Sequence, residues 1–514
     1  MKFFYSFHCS KYRINKEFET RFIMKKLIFI FSFVCNLIFA NISFGQNYFN
    51  LRYGTDSIPD IGVTLLAVDT GYYVVDISFY NSYKTMISLS YLDSLGNLVW
   101  RKSYGSQGKY FTGGRTGKQL ILSPDKSKVY YACSVIDSSN RNFGALWSFN
   151  RQGDSLWCKY YGDSLTFYSN NHCQITSDSC IIITGAMNNG TTQAMLIKTD
   201  SLGNKIWEQN FGGTGTEYGC SVLQTPDGGY MMGITTTSFG GDVDMAVIKT
   251  DSNGSQQWLQ PYSGNFSEAD INYLISLSDG NYALCGALGS STSTYSWPRL
   301  IKITPIGGVI WDKKYGNLSW SGALCGIIEE NETGNIIGSG TKDSKGYILK
   351  VNQNGDSLWQ RLVHHPSVNY FGTTNILWAI DTTFNGGYIG AGVIYPLSPD
   401  TGSTDAWVIK VDEYGCDTLN CQFVSVVENE MEIGMIRVYP NPTNADLNLE
   451  IDAPLFKNEF LIAEFYDITG KMLFAKLLNS TFESLDIASY PNGIYLLLIK
   501  SEEKIIDEIK IVKE

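Results

Sequence analysis

The 514-residue sequence is poor in the residues that most often carry chemistry: it has 4 histidines, 13 prolines and only 17% charged side chains. With 39 Lys and Arg against 50 Asp and Glu the formal net charge is -11, and no Lys/Arg cluster makes a local basic face, which excludes an ordinary nucleic-acid binder. The 11 cysteines include no CxxC pair of metal-binding type. Beyond Ala40 no apolar run is long enough to cross a membrane as a helix. What the chain has in abundance is glycine and aromatics. Its 50 Gly, 32 Tyr, 27 Phe and 11 Trp point to many short strands joined by tight turns, an all-β protein.

One stretch, IKTDSLGNKIWEQNFGG from Ile197 to Gly213, recurs in variants along most of the chain. It reads as strand, turn, strand, ending in an aromatic-Gly pair at Phe211 and Gly212. Its tryptophan returns as Trp100, Trp157, Trp207, Trp258, Trp311 and Trp359, each preceded by a turn glycine: Gly96, Gly153, Gly203, Gly254, Gly307 and Gly355. The spacing, roughly fifty residues, fits propeller repeats. A second turn followed by an apolar strand lies between the tryptophans, at Asp69, Asp125, Asp178, Asp227, Asp279, Thr333 and Asn385, and so occurs seven times. In the fourth unit the pattern predicts strands over Cys220 to Gln224, Tyr230 to Thr235, Met245 to Thr250 and Gln256 to Leu259. Such a unit cannot bury both faces alone, so the units must stack, and seven in a ring leave no exposed edge. The expectation is a seven-bladed β-propeller over residues 46–423. Each tryptophan should fill the gap between blades, worth roughly 3 to 5 kcal/mol against Ala if fully buried, with the glycine letting a neighbouring backbone pass close over the indole. The repeats resemble the tryptophan-docking propellers of quinoprotein type and, more closely, exported propeller repeats of Bacteroidota and archaea. The resemblance covers blade pattern only, with no cofactor-holding residues identifiable, so no cofactor is expected.

The two ends of the array are mismatched. The last unit keeps its third strand at Ala406 to Val411 and its turn at Asp412 to Gly415, but Leu419 stands where Trp belongs. Phe49, Tyr53 and Gly54 repeat the spacing of Trp207, Phe211 and Gly212 with no third strand ahead of them. The segment Tyr48 to Tyr53 is therefore expected to complete the seventh blade as its outer strand; in the competing reading Cys416 to Cys421 makes a short outer strand by itself.

Lys25, Lys26, the apolar run Leu27 to Ala40 and the small-residue site Ser43-Phe44-Gly45 read as a signal peptide over 24–45, with 1–23 an upstream extension ahead of the start at Met24. A transmembrane anchor is the alternative. Val424 to Met435, rich in Glu, reads as a linker (424–435). Beyond it, IRVYPNPTNADLNLEI, FYDITGKML and LDIASYPNGIYLLLI bring Tyr439, Pro440, Asn441, Pro442, Asp467, Gly470, Lys471, Pro491, Asn492, Gly493 and Tyr495 in order. Residues 436–514 resemble the type A C-terminal sorting domain of the type IX secretion system. That resemblance implies the secretion machinery as partner and a route through the periplasm to the cell surface or medium. Without it, the segment reads as a small Ig-like β-sandwich: Pro440 and Pro442 break an edge strand, and Leu447, Leu449 and Ile451 alternate as a half-buried one.

No catalytic constellation stands out. His172 precedes an inner strand, and His364 and His365 take the place of the aromatic-Gly pair after Trp359; they could hold a metal or lie in an exposed loop. Asp242 and Asp244 could ligate calcium or serve as a glycosidase pair, but Asp405 repeats the place of Asp244, which favours a structural role such as a turn cap. The Asp-x-x-Gly turns are spaced too loosely before Trp to match a sialidase Asp-box. Asp-Ser-Leu at Asp93, Asp154, Asp163, Asp200 and Asp356, with relatives at Asp56 and Asp417, resembles the O-glycosylation sequon of Bacteroidota or reflects turn preference alone. Cys416 and Cys421 flank a short turn and could form a local disulfide. The expected function is a binding or adhesion module for glycan or protein; the alternatives are a glycan hydrolase or lyase working at a central channel, or a structural surface component.

Overall fold

A computed structural model describes residues 48–513 except 54–59, 82–83, 106–107, 113–118, 163–166, 240–242, 263–267, 290–295, 317–320, 366–374, 396–403, 418–435, 452–460 and 502–503. The signal segment, the linker, Asp56, Asp163, Asp242, Leu419 and Cys421 lie outside the described residues.

Seven antiparallel sheets follow one another along the chain like the blades of a propeller, then two small sheets. In the fourth, the strands are Glu217–Gln224, Tyr230–Thr236, Asp244–Thr250 and Gln256–Pro261, paired in chain order. The third strand is buried along its whole length and the fourth is mostly exposed, so the sheet runs from an inner first strand to an outer fourth. The second sheet departs from this pattern, because its inner place is shared by Lys109–Thr112 and Leu120–Leu122, both paired with Lys128–Asp137.

Apolar side chains on the two faces of each sheet meet those of its neighbours. Tyr282, Leu284 and Ile301 of the fifth sheet share a core with Met231 and Val247 of the fourth. Phe49, Ala391 and Val408 of the seventh share one with Leu65 and Val74 of the first. The last sheet therefore packs on the first. The N-terminal strand Phe49–Tyr53 joins the seventh sheet antiparallel to Asp405–Val411, with Phe49 opposite Lys410 and Tyr53 opposite Ala406. This is the pairing that the mismatched ends of the array predict.

The turns before the outer strands are built alike. Asp200 Oδ1 accepts the backbone N–H groups of Leu202 and Asn204, and Asp93, Asn150, Asp251, Asn352 and Asp412 do the same for their own turns. Gly203 takes φ 78° there, a left-handed value that a side chain would oppose. A register shift follows at the same place in six sheets, for example between Lys198 and Thr199 opposite Trp207 and Lys205. This bulge leaves Ile206 unpaired and exposed while it turns Trp207 toward the next sheet.

The C-terminal segment forms a three-stranded sheet (Ile436–Tyr439, Asp446–Ile451, Phe482–Asp486) and a four-stranded one ordered Met472–Leu478, Leu461–Asp467, Gly493–Ser501, Lys504–Lys513. Leu447, Leu449, Phe465, Leu497 and Ile499 meet in one core between them.

Candidate functional site

Each turn glycine of the ring lies against the aromatic ring that ends the preceding sheet. A Cβ at Gly153, Gly203, Gly254, Gly307, Gly355 or Gly415 would come within 2.5–3.3 Å of Trp100, Trp157, Trp207, Trp258, Trp311 or Trp359 respectively. Gly96 lies in the same way against Phe49, which stands where a seventh tryptophan would. The glycine that admits an indole thus belongs to the following unit rather than to the tryptophan's own turn. The six tryptophans are half-buried. Full burial was the basis for expecting 3 to 5 kcal/mol from each, so the expected contribution falls to about half of that. Trp407 in the seventh sheet is fully buried; its Nε1 donates to Asn50 Oδ1 at 2.7 Å and so ties the N-terminal strand in place.

In four of the six cases, a tyrosine four residues after the tryptophan holds the same glycine from the other side. The hydroxyls of Tyr104, Tyr161, Tyr262 and Tyr315 donate to the carbonyls of Gly153, Gly203, Gly307 and Gly355. In the sixth sheet the register puts Val363 at that place, so His364 replaces the glycine of the pair and His365 lies beyond it. Burial and the neighbouring Arg52 hold His365 below the usual histidine range.

At the turn end of the ring, charges are paired internally. Lys198, Lys249 and Lys302 of successive third strands donate to Asp178, Asp227 and Asp279 at 2.7–2.8 Å. Lys350 reaches Glu330 at 3.0 Å and Lys410 reaches Asn385 at 2.7 Å. Lys249, with Thr225, pulls the Asp227 carboxyl down to about 2. The signal for this ladder is in the sequence, as the Lys that follows an apolar residue late in the third strands of the third to seventh sheets. Between the turns of the fourth and fifth sheets is an open depression of about 350 Å³ lined by Gln224, Thr225, Gly228, Leu277, Gly280 and Tyr282.

Near the axis, side chains of the first strands bond to neighbouring first strands. Thr64 Oγ1 accepts from Gln119 N–H at 2.9 Å, Gln174 Oε1 from Gln224 N–H at 2.8 Å, and Asp381 Oδ2 from Ala67 N–H at 2.9 Å. His172 is buried. Its Nδ1 accepts from Val222 N–H at 3.2 Å, which leaves Nε2 to carry the proton toward Tyr273 Oη at 3.1 Å. His172 in the third sheet therefore reaches over the fourth to the fifth.

At the seam, Asp405 accepts from Arg52 of the N-terminal strand, a structural role but not a turn cap, and Asp244 is buried at the equivalent place. Beside it Asp60 donates its N–H to Thr404 O at 2.7 Å. Asp60 and Asp76 are both fully buried and share Arg101 Nη2, at 3.1 and 2.5 Å. Asp76 Oδ1 finds no hydrogen-bond partner among the described residues. Burial pushes the Asp76 carboxyl up to about 7, opposed by Arg101 and reinforced by Asp60. Nothing in the repeat pattern marks these residues, which come together only when the sheet pairs.

Among the described residues no group of three His, Cys, Asp or Glu could hold a metal ion. The Asp-Ser-Leu motifs fall in two settings: Asp93 and Asp200 open turns, whereas Asp154 and Asp356 follow the turn glycine. Ser94, Ser155, Ser201 and Ser357 are all exposed. Cys416 is disulfide-bonded.

In the C-terminal sheets, Tyr439 is partly exposed before Pro440, and Asn441 brackets the last strand: its Nδ2 donates to Lys510 O at 2.7 Å and its Oδ1 accepts from Val512 N–H at 2.9 Å. Thr443, just past Pro442, donates its N–H to Val512 O at 2.9 Å. Asp467 Oδ1 caps the turn through Thr469 and Lys471 N–H, with Gly470 at φ 83°. Tyr495, after Asn492 and Gly493, stacks on Phe465 and donates to Pro491 O at 2.6 Å.

Residues 437–514 match the family model described as the secretion system C-terminal sorting domain. The chain carries a type IX sorting domain behind a β-propeller-like array, and it is secreted across the outer membrane to the surface or medium. No helix among the described residues is long and apolar enough to cross a membrane. No curated protein matches this chain. Solved structures similar to it include a puromycin hydrolase (14% identity, TM-score 0.40, covering 70% of this chain and 53% of the other). A protein of unknown function from Dyadobacter fermentans is similar at 8% identity and TM-score 0.44, over 70% and 98% of the two chains. A Hadza microbial sialidase is similar at 9% identity and TM-score 0.38, over 71% and 93%. The chain spans about half the length of the puromycin hydrolase. The architecture described above rests on strand pairing and not on these likenesses.

Proposed function

We propose that this chain is an exported binding protein: a seven-bladed β-propeller (46–423) joined by a linker (424–435) to an Ig-like sorting sandwich (436–514), with a signal peptide over 24–45 behind an upstream extension (1–23). Cys421 is the proposed partner of Cys416. The observation that carries the binding reading is an asymmetry between the two ends of the ring. At one end the connections are uniform short turns such as 176–180, 200–204 and 225–229, whose polar groups are satisfied by their own Asp, Asn and Lys side chains. At the other end the connections are longer and unequal, as between Pro261 and Glu268, Ile394 and Asp405, or Val363 and Ile376. Variable loops on a rigid scaffold are where recognition is built. A surface glycan or a protein would be taken there. The bonds that link the first strands, His172 to Tyr273 among them, support binding over catalysis in an open central channel. A glycan array with the purified exported protein, each hit then followed for turnover, tests the reading. Binding without turnover supports it, turnover would establish the hydrolase or lyase reading, and silence toward both glycans and surface proteins would favour a structural role.

A further inference from the structure

The two outer faces of the sorting domain differ in character. On the three-stranded sheet, Asp446, Asn448, Glu450, Ser484 and Asp486 face outward with Phe482 and Tyr439, a mainly polar face of the kind ordinary for a solvated sandwich. On the four-stranded sheet most of the described outward positions are apolar. Met472, Tyr466 and Leu496 form one row, Leu477 and Ile462 another, and Ile494 pairs with Val512 at the end. Met472, Leu477 and Ile494 are 51%, 45% and 48% exposed, so these side chains lie open. Ile468, on the adjoining turn, is 79% exposed. Among the described side chains, Glu464 and Lys500 of this face neutralise one another at 2.5 Å, and Lys510, with Lys471 at the rim, are exposed cations. Two exposed apolar rows thus flank the Glu464–Lys500 pair, and exposed apolar surface of this kind, interrupted only by a neutralised ion pair, marks an interaction site.

We infer that this outer face, centred on Met472, Ile494 and Leu477, is the surface by which the sorting domain docks on the secretion machinery, against a partner surface that is apolar and carries carboxylates opposite Lys510 and Lys471. The occupant follows from two observations. The matched family is a sorting domain, so the export machinery is the partner that this segment must meet. The C-terminal end of the last strand's free edge, another place for a partner, is already covered: Asn441 takes the backbone groups of Lys510 and Val512, and Thr443 pairs with Lys513. Strand addition at that edge would have to displace these bonds, whereas docking on the face displaces none.

The test is export of the full chain in a type IX-competent host, with surface and periplasmic fractions compared. Leu477→Asp and Ile494→Asp are expected to lower the surface and medium fraction by about tenfold, as for loss of an interface anchor, with folded protein left in the periplasm. Phe482→Asp, on the opposite sheet, is expected to export normally. Trypsin resistance of the retained protein shows that it is folded; should the Asp variants unfold, Leu477→Ser and Ile494→Thr take their place. Lys510→Glu with Lys471→Glu should lower export in the same direction. Export of folded face variants at the wild-type level overturns the proposal, as does equal loss from Phe482→Asp. Sedimentation of the purified chain covers the other occupant: a dimer that Leu477→Asp dissociates, with export unchanged, would assign the face to a second copy.

Discussion

Gly254 and Gly280 share a backbone conformation, φ 82° and 83°, and differ in surroundings. A Cβ at Gly254 would meet the Trp207 ring at 2.9 Å, whereas nothing lies within 4 Å of one at Gly280. Gly280→Ala should therefore cost only the left-handed strain, about 1 to 2 kcal/mol, and Gly254→Ala should add about 1 to 3 kcal/mol for the clash. Denaturant melts of the two variants isolate the contact between units; equal losses would mean that the indole can move aside freely. Asp76 supplies a pH signature. Burial holds its carboxyl at about 7 in the folded chain, well above the ordinary aspartate range, so the folded state binds the proton more tightly than the unfolded state does. Stability is thus expected to rise as pH falls from about 8 toward about 5. Carboxylates held low, such as Asp227, act in the opposite sense only below about pH 4, and His365, held low by burial and Arg52, opposes the slope within the window without the large shift that Asp76 has. Thermal melts across that window should slope downward with rising pH, and Asp76→Asn should flatten the slope. A wild-type melting temperature that is level from pH 5 to 8 would show that the buried pair is neutralised in another way.

At the level of the element, two of the first hairpin turns put a residue other than glycine at a left-handed position: Lys126 at φ 55° and Ser179 at φ 61°. Gly228, Gly280 and Gly386 fill the equivalent place elsewhere. Ser179 is exposed, so Ser179→Gly removes strain without opening a cavity. Against the extra entropy of glycine in the unfolded chain, the net gain should be about 0.5 kcal/mol, read by denaturant melts; a loss would show that the hydroxyl contributes more than the strain costs. The strands themselves were legible from apolar runs and turn residues. Tyr230–Thr236 and Asp244–Thr250 come within a residue of their predicted bounds. The bulge before each repeat tryptophan was not legible, since Val99, Leu156, Ile206, Ile310 and Leu358 look like strand residues that should pack inward. They are exposed because the extra residue shifts the alternation of faces by one, and no local propensity records such a shift.

For the whole molecule, closure depends on five residues. Without Phe49–Tyr53, the strand Asp405–Val411 becomes an open edge, Trp407 loses its partner Asn50, and Gly96 loses the ring that covers it. Deleting residues 48–53, with the proposed signal peptide kept, should give a chain that melts at lower temperature and associates through the open edge. Light scattering of the purified product checks this; a monomer as stable as the full ring would mean that the seventh sheet does not need its outer strand.

Repetition is what made this much readable. The spacing of Trp and Gly, the unpaired third strand at one end and the orphan Phe49-Tyr53 at the other were enough to place the N-terminal strand on the last sheet, because hydrogen-bonded edges must be satisfied wherever the chain puts them. The sorting motifs likewise stand in order along the sequence and name the export route. Tertiary structure alone decided which glycine meets which indole, how deeply the tryptophans are buried, and that Asp60, Asp76 and Arg101 converge at the seam. It also decided that one face of the sorting domain stays apolar and open. These are relations between residues on different strands, set by register, bulges and packing between sheets, and a linear pattern carries the period of each strand but not its phase against a neighbour.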